Sequence, residues 1–231
     1  MRAKGVAMKI GLIIAMDKEM TGIMRIASEA ERLVQNAPYE IYRARYADKT
    51  LYVVKSGIGE IAAAAATQYL LTAYSVDCVL NFGICGKLGM GLSLLQTVVV
   101  DSVVHYQFDL SAIDRVEVGR YPDYETPFIP APEFPKKTVL ALDGSLKAVV
   151  CASGDKFIAD EEDKRALSEK YGAEICEMEC AGVLLTCNRN RVPCVVVKTV
   201  SDDASAMDYA EFSDIAAEKH TELIGKILEA L

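Results

Sequence analysis

Short apolar segments of strand length alternate with longer amphipathic segments along most of the chain. Continuous apolar runs without polar alternation are typical of strands that are buried on both faces. They predict buried strands over residues 8–15, 76–80, 98–104, 146–152 and 194–200. Two further strands are predicted where the pattern alternates or runs apolar on either side of a tight turn, at residues 39–46 and 50–54.

Helical segments follow several of these strands. They are predicted to begin within residues 16–20 and to cover residues 61–74, 160–171, 180–188 and 208–231. In the last of them, an apolar stripe is expected to face the core through Ile215, Ile224 and Leu228. The alternation of buried strands with helices predicts an α/β fold with three layers.

Two glycine-rich segments and one long irregular segment interrupt this pattern. Ser-Gly-Ile-Gly at residues 56–59 precedes the alanine-rich helix, and residues 81–86 are expected to form a loop after a strand. Residues 105–135 contain most of the prolines and little periodicity. A loop of this length inside a compact domain usually covers or completes a functional site.

The size and charge of the chain limit the functions that it can have. With 231 residues, we expect one domain over residues 8–231, preceded by a short basic extension at residues 1–7. A net charge of −8 and the lack of a Lys/Arg cluster argue against nucleic acid as a partner. No apolar run approaches the roughly 20 residues of a membrane-spanning helix, so we expect a soluble protein with no membrane partner.

The cysteines indicate a reducing environment. All seven lie in apolar segments, in an odd number and with no signal peptide ahead of them, so we expect a cytoplasmic protein. Cys176 and Cys180 are four residues apart, but no CxxC motif or nearby histidine completes a ligand set. We therefore predict neither a metal site nor another cofactor. Only His105 and His220 could serve a catalytic triad, and their context does not support one.

Acidic side chains lie where predicted strands end. Glu177 and Glu179 flank Met178, Glu19 lies in the first helical turn after the first strand, and Asp202 follows the last strand. Ligands bind at this edge of open α/β sheets, so carboxylates there are candidates for chemistry. The alternative is structural, since acids favour helix N-termini and an aspartate can cap a following helix.

Four motifs occur in a fixed order: Met16-x-x-Glu19, Lys55-Ser-Gly-Ile-Gly59, Ser153-Gly-Asp-x-Phe-Ile158 with Glu177-Met-Glu179, and Ser201-Asp202. Together they resemble the purine nucleoside phosphorylase superfamily, and within it the 5′-methylthioadenosine/S-adenosylhomocysteine nucleosidases. The resemblance covers residue 8 to the C-terminus and implies a twisted mixed β-sheet flanked by helices. It also implies a homodimer in which a loop of one subunit completes the site of its partner.

The resemblance implies roles for the acidic residues. Asp202 matches the family's acid that faces purine N7 and the 6-amino group, and Glu19 matches the base that activates water. Glu179 matches the carboxylate that holds the ribose hydroxyls, helped by Met178. The implied partner is therefore a small-molecule purine nucleoside.

Further contacts with the substrate are implied for mostly apolar side chains. Phe157 matches the ring that stacks on the base, and Ile158 matches the residue whose backbone reads the adenine edge. Met16 and Ile58 match positions that line the ribose and its 5′ substituent. The set of expected substrate-binding residues also includes Glu177, Ser201 and Ile84.

These residue types suit cleavage of an N-glycosidic bond. The bond breaks to a purine anion and a ribosyl cation, so an acid at the base and a carboxylate near the sugar both assist. Asp202 must then hold a proton that Glu19 lacks. The expected consequence is a bell-shaped pH profile that reports both groups.

Two positions depart from the nucleosidases. Ile84 replaces the usual Ser or Thr near the attacking water, and Lys198 replaces the usual Arg. The lack of an Arg before Gly83 and of a hydroxyl at Ile84 disfavours bound phosphate, so water is predicted as the nucleophile. The loop over residues 105–130 matches only loosely, which leaves the 5′ group open. The alternatives are hydrolysis or phosphorolysis of another purine or deazapurine nucleoside, or a weakly catalytic nucleoside-binding protein.

Overall fold

A computed structural model describes residues 7–33, 39–202 and 206–231. The expected N-terminal extension therefore lies, apart from residue 7, outside the described residues. Ten strands are described: β1 Lys9–Ile14, β2 Ser28–Leu33, β3 Glu40–Tyr46, β4 Lys49–Lys55, β5 Cys78–Lys87, β6 Thr97–His105, β7 Phe128–Pro130, β8 Lys147–Ser153, β9 Ile175–Glu177 and β10 Cys194–Asp202. The helices described with them are α1 Asp17–Ile26, α2 Glu60–Tyr74, α3 Ser111–Asp114, α4 Glu133–Leu140, α5 Glu161–Tyr171, α6 Cys180–Asn190 and α7 Ala206–Ala230.

The strands form one mixed sheet with an open arm and a closed ring. The arm runs in the order β2-β3-β4-β1-β5, with β1 parallel to both β4 and β5. The ring continues from β5 through β10, β6, β8 and β9 and returns to β5. Closure removes unpaired strand edges from this part of the sheet, and it gathers the ends of several strands around one opening.

Helices cover both faces of the sheet. On one face α2 and α6 pack against side chains such as Ile13 and Val79. On the other face α1, α4 and α7 pack against Leu12 and Leu80, which are next to Ile13 and Val79 in the sequence. This alternation follows from the two-residue period of a strand. The predicted α/β fold, a twisted mixed sheet between helical layers, is confirmed.

Strand β5 joins the arm to the ring, and it corrects one prediction. Residues 81–86 were expected to form a loop, but they continue the strand to Lys87. Residues 78–81 pair with β1, while residues 79–86 pair with β10 along the other edge. At Gly83, a Cβ would lie 2.6 Å from Glu19 Oε1, so this strand position needs glycine because a side chain approaches its backbone closely.

The other differences have simple physical causes. The sequence gives no signal for β2, because most of its residues are polar and exposed and, among the described strands, it pairs with β3 alone. The long irregular segment contains the short helix α3 and strand β7. Ile224 and Leu228 are buried as predicted, but Ile215 is 49% exposed, so its assignment to the apolar stripe is wrong. No helix in the described residues is both long and apolar enough to cross a membrane.

Leu70 provides a test of how α2 is held on the sheet. It is fully buried, and a Cβ at Gly11 of β1 would lie 2.4 Å from Leu70 Cδ2. Leu70→Ala should lower the free energy of unfolding by about 2–5 kcal/mol, because it removes buried methyl groups and leaves a cavity. Thr72→Ala, at an exposed position of the same helix, should change it by less than about 0.5 kcal/mol. Urea denaturation measures both values, and equal losses in the two variants would contradict the packing described.

Candidate active site

The ends of β1, β5, β9 and β10 meet at a cavity of about 510 Å³. Every site residue expected from the sequence lines it: Met16, Glu19, Ile58, Ile84, Phe157, Ile158, Glu177, Met178, Glu179, Ser201 and Asp202. The remaining lining residues are Ala15, Cys85, Gly86, Lys156 and Cys176. The sheet thus brings together residues that are up to 187 positions apart, from Ala15 to Asp202.

The carboxylate of Glu19 accepts hydrogen bonds from three backbone N–H groups, two just after β1 and one in β5. Its Oε2 accepts from Ala15 at 3.2 Å and from Met16 at 3.0 Å, and its Oε1 accepts from Ile84 at 3.1 Å. The residue is 3% exposed. Burial raises the pKa of Glu19 above its ordinary value, and the positive charge of Lys198 opposes this shift. Glu19 is therefore a fixed carboxylate with an increased affinity for protons.

Glu177 is the ionised carboxylate of the group. Its Oε2 lies 3.0 Å from Lys198 Nζ and accepts from the N–H groups of Glu179 and Cys180, each at 3.0 Å. Burial opposes ionisation, but Lys198 and the hydrogen bonds from Ser153 and Cys180 lower the pKa of Glu177 to about 2. A carboxylate surrounded by this many donors keeps its charge, so Glu177 anchors the turn that follows it.

Glu179 projects from that turn, immediately before α6. Its Oε1 accepts from the Gly59 N–H at 3.1 Å, and 7% of the residue is exposed. Burial and the neighbouring charge of Glu177 raise the pKa of Glu179 to about 7. Near neutral pH it can therefore accept or donate hydrogen bonds with a bound hydroxyl group.

Asp202 is the last residue of β10 and also lines the cavity. The pairing of β10 with β5 shifts register between Val200 and Asp202, which is a bulge that redirects the side chain. Ser201 Oγ donates to Asp202 Oδ2 at 2.6 Å, and both residues are buried. Asp202 belongs to the strand itself here, and α7 begins only at Ala206.

Apolar side chains form the remaining walls. Ile158 and Ile84 are buried, whereas Ile58 and Phe157 are 59% and 45% exposed at the opening. A flat aromatic ring and branched aliphatic groups suit a heterocyclic base and an apolar substituent. The side chain of Ile84 offers no hydrogen bond, but its backbone N–H positions Glu19.

Sequence reasoning missed three polar residues behind the cavity. From the sequence, Lys198 is only a departure from the nucleosidases, but in the structure it is the buried cation that pairs with Glu177. Glu60 and Ser153 were not considered as site residues, although Ser153 Oγ contacts carboxylate oxygens of both Glu60 and Glu177. A lone lysine within a valine-rich strand was the available signal for the first. Glu60 had no distinctive signal, because a first-turn glutamate is common in helices.

One group of possible metal ligands lies beside the cavity but does not suit a metal. Atoms of Cys151, Glu177 and Cys180 lie within 4.8 Å of one another. Burial raises the pKa of Cys180 to about 12 and the pKa of Cys151 well above its ordinary value. Both thiols therefore keep their protons, whereas thiolates are the form that binds metal. Glu177 is also engaged by Lys198.

The lining carries four carboxyl groups, Glu19, Glu177, Glu179 and Asp202, around an apolar space. Its basic side chain, Lys156, forms an ion pair with Asp163 at 2.5 Å. Such a cavity favours neutral or cationic ligands over anionic ones. Separated carboxyl groups with different proton affinities are the arrangement that acid–base catalysis requires.

Known proteins share this sequence and fold. A sequence model described as the phosphorylase superfamily matches residues 9–229. The 5′-methylthioadenosine/S-adenosylhomocysteine nucleosidase of Shewanella denitrificans is 33% identical over 204 residues, covering 86% of this chain and 87% of that protein.

Two solved structures from Helicobacter pylori superpose over nearly the whole chain. One is an Asp-to-Asn mutant of the 5′-methylthioadenosine/S-adenosylhomocysteine nucleosidase with 5′-methylthioadenosine in its active site, with a TM-score of 0.92, 27% identity, and coverage of 98% of this chain and 100% of that chain. The other is a futalosine hydrolase, with a TM-score of 0.92, 28% identity, and coverage of 97% and 99%. The resemblance drawn from the sequence motifs is confirmed. This chain belongs to the phosphorylase superfamily and is an N-glycosyl hydrolase related to the 5′-methylthioadenosine/S-adenosylhomocysteine nucleosidases.

Proposed function

We propose that this protein hydrolyses the N-glycosidic bond of 5′-methylthioadenosine, S-adenosylhomocysteine or both, and releases adenine. The observation that carries the proposal is that Glu19, Glu179 and Asp202 line one cavity of about 510 Å³. That volume lies within the range of small-molecule sites. The aromatic ring of Phe157 shares the cavity with them.

In the proposed mechanism three of the four carboxyl groups of the lining have separate tasks. Asp202 gives a proton to N7 of the leaving adenine, Glu179 binds the ribose hydroxyls, and Glu19 removes a proton from the attacking water. Because burial raises the pKa of Glu19, this group is a stronger base than an exposed glutamate would be. The two backbone donors at Oε2 and the third at Oε1 keep its carboxylate plane fixed.

Water is the proposed nucleophile rather than phosphate. In this mechanism Glu19 and Glu177 are ionised and repel an anion, and Lys198 is occupied by Glu177. At position 84, where a hydroxyl group could have bound phosphate, the chain has isoleucine. The apolar side chains of Met16 and Ile58 suit an alkylthio group on the 5′ carbon.

A second candidate is hydrolysis of futalosine. The futalosine hydrolase of Helicobacter pylori matches the fold with a TM-score of 0.92 at 28% identity. Both candidate reactions break an N-glycosidic bond, so the same catalytic residues serve either one. The 5′ side of the cavity would decide between them.

A panel of nucleosides tests the proposal directly. We expect free adenine from 5′-methylthioadenosine or S-adenosylhomocysteine, an unphosphorylated sugar product, and a rate that does not depend on added phosphate. Product analysis by chromatography, with futalosine, adenosine and inosine in parallel, measures this. A sugar phosphate as product would overturn the hydrolytic mechanism, while a preference for futalosine would favour the second candidate. Binding without turnover of any of these compounds would favour a nucleoside-binding role.

The variant Asp202→Asn tests the proposed acid. Loss of the proton donor should lower kcat for adenine release by about 10²–10⁴-fold, with a much smaller change in KM. Asp143→Asn is the matched control, because Asp143 is exposed and does not line the cavity. This variant should retain full activity. Full activity of Asp202→Asn would contradict the assignment.

The pH profile of kcat/KM tests whether Glu19 is the base. A base must be ionised, so activity is lost as the pH falls through the pKa of Glu19 in the folded protein. Burial raises that pKa above its ordinary value of 4.5, so the acid limb of kcat/KM should lie above pH 4.5. An acid limb at or below that value would show that Glu19 is not the base.

We also propose that the protein is a homodimer. Large apolar side chains are exposed around the opening and on the adjoining helix, including Ile58 at 59% and Ile61 at 82%. A second subunit that covered them would remove apolar surface from water. Light scattering after size-exclusion chromatography should give twice the chain mass of 25.2 kDa. A mass equal to one chain at micromolar concentration would contradict this.

A further inference from the structure

Glu60 is a buried acid outside the proposed mechanism. It begins α2, is 5% exposed, and shares Ser153 with Glu177. Ser153 Oγ contacts Glu60 Oε1 and lies 2.5 Å from Glu177 Oε1, while it also accepts from the Ala181 N–H at 3.2 Å. A hydroxyl group has one hydrogen to donate. With two carboxyl oxygens in contact, one of the two contacts needs a proton from a carboxyl group.

The surroundings decide which carboxyl group carries that proton. Glu177 accepts from Lys198 Nζ and from the N–H groups of Glu179 and Cys180, so its charge is fully solvated by donors. Glu60 has the Gly182 N–H at 2.5 Å on Oε2, and none of the ion pairs in the described part of the chain includes it. The proton therefore lies on Oε1 of Glu60 and is donated to Ser153, whose own hydrogen goes to Glu177.

Charges on the neighbouring elements support this assignment. Burial, and then the negative charge of Glu177, raise the pKa of Glu60 to about 8. Acids also face it from the start of α6 and from the segment after β8, namely Glu179 and Asp155. Glu60 also lines a groove of about 350 Å³ together with His105, Tyr121 and Arg189. Burial, and then nearby acids that include Glu60, raise the pKa of Tyr106. Arg189 is engaged by Asp123, so these groups do not neutralise Glu60.

The same contacts connect Glu60 with the proposed ribose site. Glu177 receives the Ser153 hydrogen and holds the N–H of Glu179. The residue before Glu60, Gly59, donates its N–H to Glu179 Oε1 at 3.1 Å. A movement of Glu60 away from Glu177 would therefore disturb Glu179 at its backbone and at its carboxyl group.

We propose that Glu60 is a positioning residue: its proton completes a hydrogen-bond chain through Ser153 to Glu177 that holds Glu179 in place, and loss of the proton loosens Glu179. The proposal rests on the proposed function, in which Glu179 binds ribose. Glu60 lines the groove that also contains His105 and Tyr121, and not the substrate cavity. It can therefore exchange its proton with solvent while the substrate cavity is occupied.

Glutamine tests the proposal because it resembles a protonated glutamate. Its amide can donate to Ser153 and accept from Gly182. The ratio of the wild-type KM for 5′-methylthioadenosine to that of Glu60→Gln, in which the titration of Glu179 cancels, should be about one at pH 6.5 and about tenfold at pH 9, the size expected for a lost hydrogen bond to a charged group. Glu60→Ala should have a KM about tenfold above that of Glu60→Gln at every pH. Glu162→Gln, an exposed glutamate in the first turn of α5, should keep the wild-type profile.

Thermal unfolding gives a readout that does not depend on turnover. A carboxyl group with a raised pKa in the folded protein binds more protons folded than unfolded, so the contribution of Glu60 to wild-type stability falls as the pH rises from about 4.5 to about 8. Glu60→Gln lacks this loss. The Tm of the variant minus the Tm of the wild type should therefore increase with rising pH and become constant above about pH 8.

The outcomes separate the two proposals. If no nucleoside is cleaved but the Tm difference grows with pH, the proposed function fails and the proton on Glu60 stands. If the Tm difference is constant, or if the ratio of the wild-type KM to that of Glu60→Gln does not change with pH, the inference about Glu60 is overturned even though adenine is released.

Discussion

The ion pair between Lys198 and Glu177 is the interaction on which the site depends. Both side chains are almost completely buried, with 2% and 3% exposed. Glu19 and Glu179 lie close enough for their charges to act on Lys198, and together with Glu177 and Cys180 they raise its pKa despite its burial. Removing one partner of a buried pair costs about 3–5 kcal/mol, because the other charge is left without compensation. One cation thus permits several carboxyl groups to share a small, largely apolar space.

That arrangement explains how acids of one residue type can differ in protonation. Glu177 is in direct contact with the lysine and with several donors, and its pKa is lowered to about 2. Glu179 is buried next to a charge of the same sign, and its pKa is raised to about 7. Glu19 is held by three N–H groups yet fully buried, and its pKa is raised. The environment, rather than the residue type, sets which group holds a proton.

Much of the fold and the cavity lining could be predicted because those features are local in the sequence. Buried strands give continuous apolar runs, and the residues at their ends come together when parallel strands align in a sheet. Glu19, Glu179 and Asp202 were found in this way. Strand β2 could not be found, because its residues are mostly polar and exposed and only Leu33 at its end packs against the core. The extension of β5 through Gly83 and Gly86 was also missed, since glycines suggest a turn unless a partner strand is known on each side.

The role inferred for Glu60 depends on contacts that no local pattern contains. Its carboxyl group meets Ser153 and Gly182, which are 93 and 122 positions away in the chain. A Cβ at Gly182 would lie 2.4 Å from the Glu60 carbonyl oxygen, so the close approach of α2 and α6 needs that glycine. Ile84 illustrates the same limit: its side chain suggested a weakened nucleophile site, but its backbone N–H holds Glu19.

The central claim is that Asp202 delivers a proton to the leaving base while Glu19 prepares water on the opposite side of the sugar. A crystal structure of the Asp202→Asn variant with 5′-methylthioadenosine bound tests it most directly. We expect the new amide within about 2.7–3.2 Å of purine N7, and an ordered water between Glu19 and the face of C1′ opposite the base. A nucleoside bound with its base remote from residue 202, or with Glu19 and residue 202 on the same side of the sugar, would contradict the account.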